Sequence, residues 1–458
     1  GQGLWTSGEA PPALPSHRRL ACKLNYFQSI ILLFAAVILI GAALLMLPIS
    51  AQERTVTSFH EALFTATSAV CVTGLVVRDT ASHWSAFGQA VLMVLIQIGG
   101  LGVITVGASF SLLSGRRISL SQRGRMQEAM SAPKVGGIVR LTGFVIRTSL
   151  MMEGIGALCM LPVFCRDFGV SGIWKAVFHS VSAFCNAGFD LMGTPDMPFV
   201  SLTSYRADPV INLTISALIV VGGIGFLTWD DVRCNRLCFH RYRLQSKVIL
   251  TSTALLILLP TLYFFCFEFK GSTLRERLLL SLFQSVTPRT AGFNTADYTS
   301  LSSSGRGLTI LLMFIGGSPG STAGGIKTTT AAVLVANAFA VFRRQKSPEM
   351  FGRRMEEKAV HDAAAIFTLY LVLSLTGAFV ISTVETQPLS ECLFETTSAI
   401  ATVGLSLGLT PHLGIVSQGI LIFLMFIGRV GGLTMIYAAL SGSKSSAARL
   451  PQERITVG

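Results

Sequence analysis

Charged residues are scarce in this chain: they make up 13% of its 458 residues, whereas hydrophobic residues make up 51%. A soluble domain carries about twice that share of charge, so the composition excludes an ordinary soluble globular protein. The nine cysteines also lack the spacing of a zinc site or a disulfide framework. The nearest pair, Cys234 and Cys238, has no accompanying histidine pair. We therefore interpret the cysteines as free thiols in a reducing compartment.

Long apolar runs recur along the whole chain, beginning with FQSIILLFAAVILIGAALLML at 27–47. A helix of this length spans about 31 Å at about 1.5 Å per residue, which matches the hydrocarbon core of a bilayer. The run is too long for the h-region of a secretory signal, and Pro48-Ile49-Ser50 offers no small-x-small cleavage site. The composition and the runs together predict a multi-pass membrane protein.

A motif of about fourteen residues occurs four times. Each copy starts with Leu or Val before a Phe, continues with small Ser, Thr and Ala residues, and closes on a Gly followed by Leu or Phe. The copies are ALFTATSAVCVTGL (62–75), AVFHSVSAFCNAGF (176–189), SLFQSVTPRTAGF (281–293) and CLFETTSAIATVGL (392–405). Each is long enough for two to three helical turns and too short to span. Any single copy fits an ordinary interfacial helix, but four flanked copies predict re-entrant half-helices, each followed by an extended segment.

Apolar runs flank every copy. Those upstream are 27–47, 138–163, 247–267 and 362–384, and those downstream are 86–113, 209–229, 308–340 and 415–440. The predicted fold is an all-α membrane protein of four tandem helix, pore loop, helix units, with eight transmembrane helices and four re-entrant half-helices around one central pore. The predicted boundaries are 25–114, 135–232, 245–342 and 359–441 for the four units, 1–24 for an N-terminal leader and 442–458 for a C-terminal tail.

Basic residues are distributed unevenly between the loops. Most of the 36 Lys and Arg lie in the N-terminal segment, the loops between units and the C-terminal tail, including RRISLSQRGR (116–125) and FRRQKSPEMFGRRMEEK (342–358). The positive-inside rule therefore predicts cytoplasmic termini and re-entrant copies that face outward. It also explains the net charge of +13 without a nucleic-acid partner. Docking of anionic lipids or of an acidic cytoplasmic partner stays open.

The extended segments that close the copies carry no acidic side chain. Non-helical backbone in a membrane is tolerated where it is buried in protein or lines an aqueous path, and the negative ends of four half-helices favour a cation there. A ring of backbone carbonyls suits a monovalent ion, whereas Ca²⁺ sites use carboxylates. The predicted selectivity-filter residues are Val72, Thr73, Gly74, Asn186, Ala187, Gly188, Thr290, Ala291, Gly292, Thr402, Val403 and Gly404.

The third downstream run is interrupted by FIGGSPGSTAGGIKTTT (314–330). Within it, GSTAGGIKT (320–328) nearly matches the phosphate-binding GxxxxGK[ST] motif, but Ile326 separates Gly325 from Lys327, and no soluble α/β domain accompanies it. A nucleotide-binding enzyme is therefore disfavoured. A voltage-gated channel is disfavoured too, because no helix carries an Arg at every third position. In the other three units we expect the downstream helix to continue through its glycine pair.

Four basic residues and one acidic residue fall within the predicted spans, where a charge costs at least about 2.5–3.5 kcal/mol at mid-bilayer. Arg429 follows Gly404 by 25 residues. It is either satisfied by loop carbonyls without a role in transport, or held below the filter as a cation that resists ion passage and anchors a gate. Arg140 is expected to snorkel to the cytoplasmic end of its helix. Arg147 is expected to pair with Glu153 or a neighbour.

Together, these motifs resemble the Trk/Ktr/HKT superfamily of potassium transporters, and most of all the KtrB-type membrane subunit. The likeness runs from about residue 25 to the end and rests on VTGL, FCNAGF, TPRTAGFN, FETTSAIATVGL, IQIGGLG, MFIGRVGG and segment 314–330. It implies a transporter rather than an enzyme, with K⁺ uptake across the plasma (bacterial inner) membrane, often Na⁺-dependent, and no bound cofactor besides the transported ion. It also implies a homodimer and a cytoplasmic nucleotide-binding RCK-type regulatory ring that the chain would recruit.

The resemblance further identifies residues 316–327 as an intramembrane gating loop. The implied gating residues are Gly316, Gly317, Gly320, Gly324, Gly325, Lys327 and Arg429. Relatives that pass Na⁺ can carry serine in place of the first filter glycine, so the glycine at position 74 implies K⁺ selectivity. Cys71 departs from the family pattern, where Thr is more usual, and residues 1–24 have no family character.

Overall fold

The computed structural model describes residues 26–102, 137–236, 238–345 and 347–439, together with residues 105, 123, 124 and 127. The predicted leader 1–24 and tail 442–458 lie outside these residues. The helices are α1 (Tyr26–Met46), α2 (Phe59–Val70), α3 (Thr80–His83), α4 (Ala86–Leu101), α5 (Ile138–Phe168), α6 (Ser171–Phe184), α7 (Pro209–Gly223), α8 (Phe226–Asn235), α9 (Leu244–Phe267), α10 (Leu274–Val286), α11 (Ser303–Phe314), α12 (Thr328–Phe342), α13 (Glu357–Glu385), α14 (Leu389–Ile400), α15 (Ile415–Val430) and α16 (Gly432–Ala439). Strands β1 (Glu349–Met350) and β2 (Arg353–Arg354) form a small antiparallel hairpin.

Within the described ranges, four helices are long and apolar enough to cross a membrane: α1, α5, α9 and α13. They coincide with the four predicted upstream runs. Leucine, isoleucine and alanine dominate them, and these residues lose little side-chain freedom in a helix or bury well in lipid. Much of their surface faces outward, as the exposed side chains of Leu39, Leu158 and Leu258 illustrate. In a bilayer this surface is solvated by lipid.

Each long helix packs against the short helix that follows it in the chain: α1 against α2, α5 against α6, α9 against α10, and α13 against α14. These short helices, called the half-helices below, contain 12 to 14 residues and end immediately before the segments predicted as the filter. Most of their Ser, Thr and Ala residues are buried, with Ser171 and Ser390 near the helix starts exposed. Small side chains let the surrounding helices approach closely, which explains why the repeated motif is so rich in them.

The other three downstream helices do run through their glycine pairs, but the expectation that they then continue without a break is wrong. Helix α4 ends before Gly102, which has φ of 89°, and α15 ends before Gly431, which has φ of 97°. Between α7 and α8, Gly225 has φ of 95° and the two helices meet at 95°. A positive φ lies outside the α-helical region and is available to glycine at little cost, so the chain turns at each of these points. Of the predicted run 86–113, residues 103–113 lie outside the described residues except Thr105.

The predicted break in the third downstream run is present. Helix α11 ends at Phe314 and α12 begins at Thr328, so residues 315–327 connect them without helix. We call residues 315–327 the inner segment. All four downstream runs are therefore interrupted, and the third differs from the others in the length of its interruption.

The expected pairing of Arg147 with Glu153 is also absent. Glu153 is buried and accepts a hydrogen bond from Gln97 Nε2 at 2.9 Å. Arg147 is exposed on the same helix, α5. The two residues are six positions apart, so they point in different directions from a helix with 3.6 residues per turn. Glu153 consequently connects α5 to α4 through the hydrogen bond from Gln97.

Candidate functional site

The four segments that follow the half-helices meet in a closed ring through Gly74, Gly188, Gly292 and Gly404, called the ring glycines below. A Cβ atom added to each glycine would overlap a carbonyl oxygen of the next copy. The overlaps pair Gly74 with Ala187, Gly188 with Ala291 at 2.5 Å, Gly292 with Val403 at 2.5 Å, and Gly404 with Thr73. Because the fourth copy contacts the first, the order around the ring is that of the chain. Copies one and three thus face each other, as do copies two and four.

The same backbone conformation repeats in all four copies. The ring glycines have φ values of 92°, 72°, 87° and 91° in chain order. Two residues earlier, each copy has a non-glycine residue with positive φ: Val72, Asn186, Thr290 and Thr402, at 51°, 57°, 65° and 51°. Such a conformation costs about 1–3 kcal/mol per residue and persists only where the surrounding structure enforces it. Its recurrence at four equivalent positions makes the ring the candidate functional site.

The amide groups of these segments turn back toward their own half-helices. The residue before each ring glycine donates its N–H to a carbonyl in the last turn: Thr73 to Ser68 at 2.8 Å, Ala187 to Ser182 at 2.8 Å, Ala291 to Thr287 at 3.0 Å and Val403 to Ser398 at 2.8 Å. Hydroxyl groups add to this, since the Oγ atoms of Ser68 and Ser398 each accept the N–H of their ring glycine at 3.0 Å. Because these N–H groups point back toward the half-helices, the carbonyl oxygens of the same segments remain free to point into the ring.

The ring carbonyls have no donor among the residues that the structure describes. Thr73, Ala187, Ala291 and Val403 are all completely buried, yet no N–H or O–H in the described ranges bonds to their oxygens. Buried carbonyls are nearly always paired, because an unpaired one loses its hydration without compensation. A cation at the centre of the ring would supply the missing partner.

A cavity of about 390 Å³ opens on one side of the ring, the side toward which the chain continues after each ring glycine. We call it the vestibule. The four ring glycines line its floor, and Asp79, Asp190 and Asp297 contribute carboxylates to its wall. Asp190 lies in a loop outside the membrane-spanning helices. Burial is the main cause that raises its pKa, and the Asp79 carboxylate adds to this; a hydrogen bond from the Met192 N–H and the charge of Lys175 lower it, and the resulting pKa is about 7.

The inner segment is closed on itself and docked on the bend between α7 and α8. Its two ends are joined by a bond from Gly316 N to Ile326 O at 2.8 Å. Gly320 O accepts the N–H of Phe226 at 2.7 Å. At the bend, a Cβ on Gly225 would lie 2.7 Å from Pro319 O. The bend therefore depends on glycine twice, for its positive φ and for the approach of the inner segment.

The inner segment lies against the face of the ring opposite the vestibule. A Cβ on Gly324 would overlap Thr402 Oγ1, one on Gly325 would lie 2.8 Å from Ala401 O, and one on Gly316 would lie 3.2 Å from Thr290 Cγ2. Three of the predicted gating glycines thus touch the ring segments of copies three and four. Of the other two, Gly317 packs within the inner segment against Ala323, and Gly320 takes a φ of 61° and binds Phe226.

Arg429 joins three parts of the molecule below the ring. From α15 it donates to Thr322 O of the inner segment at 2.6 Å, to Gly100 O at the end of α4 at 3.2 Å, and also to Gly99 O. In the described part of the chain no carboxylate forms an ion pair with it. Its charge is consequently compensated by carbonyl dipoles alone. Lys327 is the last residue of the inner segment, and its Nζ donates to Ala323 O, four residues earlier, at 2.8 Å.

One role was missed in the sequence, that of the shared glycine pairs. Gly99, Gly222 and Gly428 each lie where a Cβ would overlap the last carbonyl of a half-helix, at Val70, Phe184 and Ile400. The glycines therefore bring the downstream helices into contact with the half-helices just below the ring. Their recurrence was visible in the sequence, but the contact was not.

Comparison with known proteins identifies the family. The sequence model described as TrkH, cation transport protein, matches residues 17–447. The chain belongs to this family. It is a family of transport proteins and not of enzymes, and with several apolar helices its member here is a multi-pass membrane protein. The resemblance drawn from the motifs is thereby confirmed.

Relatives in the TrkH family align over nearly the whole chain. The potassium/sodium uptake protein NtpJ of Enterococcus hirae is 40% identical, covering 96% of this chain and 99% of that protein. The Ktr system potassium uptake protein B of Bacillus subtilis is 40% identical over 93% and 95%, and that of Vibrio alginolyticus 36% over 97% and 98%. The crystal structure of the potassium transporter TrkH from Vibrio parahaemolyticus superposes with a TM-score of 0.73 at 17% identity, covering 92% of this chain and 86% of that one. This last likeness concerns the fold.

Proposed function

We propose that the protein takes up K⁺ across the bacterial plasma membrane through the ring, with the carbonyls of the twelve predicted filter residues as the ion's ligands. The observation that carries the proposal is the closed ring of buried carbonyls without donors. Two relatives that are named as potassium uptake proteins and are 40% and 36% identical to this chain support it. The name of NtpJ includes sodium, so Na⁺ enters the proposal as a coupled or second ion.

The proposed architecture is four units around one pore, each made of a long helix, a half-helix with its ring segment, and an interrupted downstream helix. Both termini would face the cytoplasm and the vestibule would face out. Two relatives are named as protein B of a Ktr system, and such a name indicates further proteins in that system. In agreement with this, we propose a homodimer that binds a cytoplasmic RCK-type ring. The inner segment with its glycines, Lys327 and Arg429 would form the gate.

Selectivity in this proposal arises from backbone geometry. A dehydrated K⁺ requires several oxygen ligands at once, and the ring presents one set from each copy. The negative ends of four half-helices point toward the same place and stabilise positive charge. Val72, Thr73, Gly74 and their counterparts include no carboxylate, so a divalent ion would lack the ligands it prefers.

Growth rescue provides the test of the proposed function. In a strain deficient in K⁺ uptake, the full chain is expected to restore growth at low K⁺, and parallel cultures with and without Na⁺ show whether Na⁺ is required. Gly292→Ser is expected to reduce rescue or K⁺ over Na⁺ discrimination at least about tenfold, since a Cβ there would lie 2.5 Å from Val403 O at a φ of 87°. Gly307→Ser, in α11 with nothing within 4 Å, is the matched control. Equal behaviour of the two variants would count against the ring as the filter.

A second expectation concerns pH. Because the raised pKa of Asp190 lies at about 7, its carboxyl loses its charge as the medium is acidified through that value. A unit charge about 8 Å from an ion in water is worth about 0.5 kcal/mol, or roughly twofold in local concentration. Uptake at low K⁺ and low ionic strength should fall about twofold from pH 8 to pH 6. The Asp190→Asn variant should take up K⁺ at the lower rate at both pH values. A variant that retains the full pH dependence would show that another group is responsible.

A further inference from the structure

A buried titratable side chain occupies the same position in the half-helices of copies two and four. The residue nine positions before the ring glycine is His179 in copy two and Glu395 in copy four. Both are completely buried. Neither belongs to the ring or to the inner segment. Because burying such groups is costly unless hydrogen bonds compensate, their partners indicate what they do.

His179 holds the chain that leaves the ring in copy two. Its Nε2 accepts the N–H of Leu191 at 3.2 Å, and its Nδ1 lies 2.7 Å from Lys175 O. A carbonyl can only accept and an N–H can only donate, so both bonds form when the imidazole is neutral with its hydrogen on Nδ1. Leu191 is the third residue after Gly188. The ammonium group of Lys175 donates to Leu191 O, so α6 binds both backbone polar groups of this residue.

Glu395 makes the equivalent connection in copy four. Its Oε1 accepts the N–H of Leu407, again the third residue after the ring glycine, at 2.9 Å, and the hydroxyl of Ser406 at 2.7 Å. Its Oε2 accepts the hydroxyl of Thr410. A histidine in one copy and a glutamate in the other thus accept the same backbone N–H, that of the third residue after the ring glycine, although the two side chains differ in chemistry. Since the residue type differs and the hydrogen bond is the same, we interpret the hydrogen bond as the feature that these two copies require.

Copies one and three do not repeat it. In copy one the corresponding residue is Thr65, and its hydroxyl donates to Glu61 O within α2 at 2.8 Å. In copy three, where the spacing is one residue shorter, it is Gln284. Among the described residues neither side chain bonds to the third residue after its ring glycine. The bond is therefore confined to two copies that face each other across the ring.

We propose that His179 and Glu395 are positioning residues which fix the outer edge of the ring from opposite sides and thereby set its affinity for K⁺. The inference rests on the proposed function of the ring. Only two residues separate each fixed N–H from its ring glycine, so movement of the chain there is transmitted to the ring carbonyls. A carbonyl ring binds tightly only when supporting hydrogen bonds hold it in place. Losing either bond lets the wall of the ring on that side relax outward, and losing both frees two opposite walls.

The test is K⁺ uptake by the full chain in the deficient strain, measured as the half-saturating K⁺ concentration and the maximal rate. His179→Ala and Glu395→Ala are each expected to raise the half-saturating concentration about tenfold, the usual effect of losing one buried hydrogen bond, with a smaller change in maximal rate. His179→Gln and Glu395→Gln keep an acceptor near the same place and should stay within about threefold of the natural chain. Thr65→Ala, at the matching position in copy one, should leave the half-saturating concentration unchanged.

The outcomes separate three cases. Alanine variants whose maximal rate falls in step with their amount in the membrane, at an unchanged half-saturating concentration, would show a structural role only and overturn the inference. Absence of K⁺ uptake by the natural chain would instead overturn the proposed function. If an alanine variant does not reach the membrane, His179→Asn and Glu395→Asp replace it under the same criteria, because each moves the acceptor away from the N–H it binds.

Discussion

Gly404→Ala is expected to lower K⁺ uptake at least about 100-fold, which corresponds to about 2.8 kcal/mol. The added Cβ would overlap Thr73 O and lie 2.9 Å from Gly74 Cα, both of them backbone atoms of the first copy. It would also impose a side chain on a φ of 91°, a conformation that residues other than glycine rarely adopt. Neither conflict is relieved by rotating a side chain, so the ring must deform where copy four meets copy one. Initial rates of K⁺ uptake, divided by the amount of protein in the membrane, measure the effect.

Two glycines serve as matched controls for Gly404. Gly419 lies in α15 with nothing within 4 Å of its added Cβ, so Gly419→Ala tests the exchange without contact or strain. Gly352, in the turn of the β1–β2 hairpin, has a φ of 70° and also nothing within 4 Å, so Gly352→Ala adds backbone strain alone. Both are expected to transport at nearly the natural rate. A Gly404→Ala protein that did the same would show that the ion does not depend on the ring.

The ring could be predicted from the sequence because its information is repeated. Each copy places a half-helix and a closing glycine at nearly the same spacing, and the requirement for positive φ at four equivalent positions leaves glycine as the favoured residue. A single copy would have been indistinguishable from an interfacial helix. What the sequence could not show is which copies touch, since that depends on contacts between residues more than 100 positions apart.

The interruptions of the other three downstream helices were missed for a different reason. Glycine within an apolar run is common in transmembrane helices, and its low helix propensity alone does not break them. At Gly225 the chain turns because the inner segment occupies the space that a continuing helix would need, with Pro319 O close to the glycine. This cause lies almost a hundred residues away in the chain. It belongs to the tertiary structure and leaves no local signal.

The two interpretations of Arg429 also could not be separated from the sequence. A buried arginine with carbonyl partners was one of them, and the structure shows such partners at Gly99, Gly100 and Thr322. Because Thr322 belongs to the inner segment, the same bonds would anchor a gate. The geometry thus satisfies both descriptions, and only a measurement of transport distinguishes them.

Arg429→Ala is expected to raise K⁺ flux about tenfold, or to make uptake independent of the proposed cytoplasmic regulatory ring. The variant removes the bond of 2.6 Å to Thr322 O and the bonds to the end of α4, and hydrogen bonds from a charged donor are worth about 1.5–3 kcal/mol each. It also removes a positive charge below the ring that opposes a passing cation. Arg429→Lys separates the two effects, because it keeps the charge and lacks the planar fork needed to reach three carbonyls. Unchanged uptake in Arg429→Ala would leave the arginine with a structural role alone.

Deleting residues 317–325 tests whether Arg429 acts through the inner segment. The deletion can close without stretching the chain, because Gly316 N already bonds to Ile326 O at 2.8 Å. If the inner segment obstructs the pore, the deletion should raise flux at least as much as Arg429→Ala does. Combining the two changes should then add nothing further, since two changes that remove the same interaction are not additive. A full additional increase would assign the arginine an effect on the ion itself, and loss of transport at normal membrane levels would assign the inner segment to support of the ring.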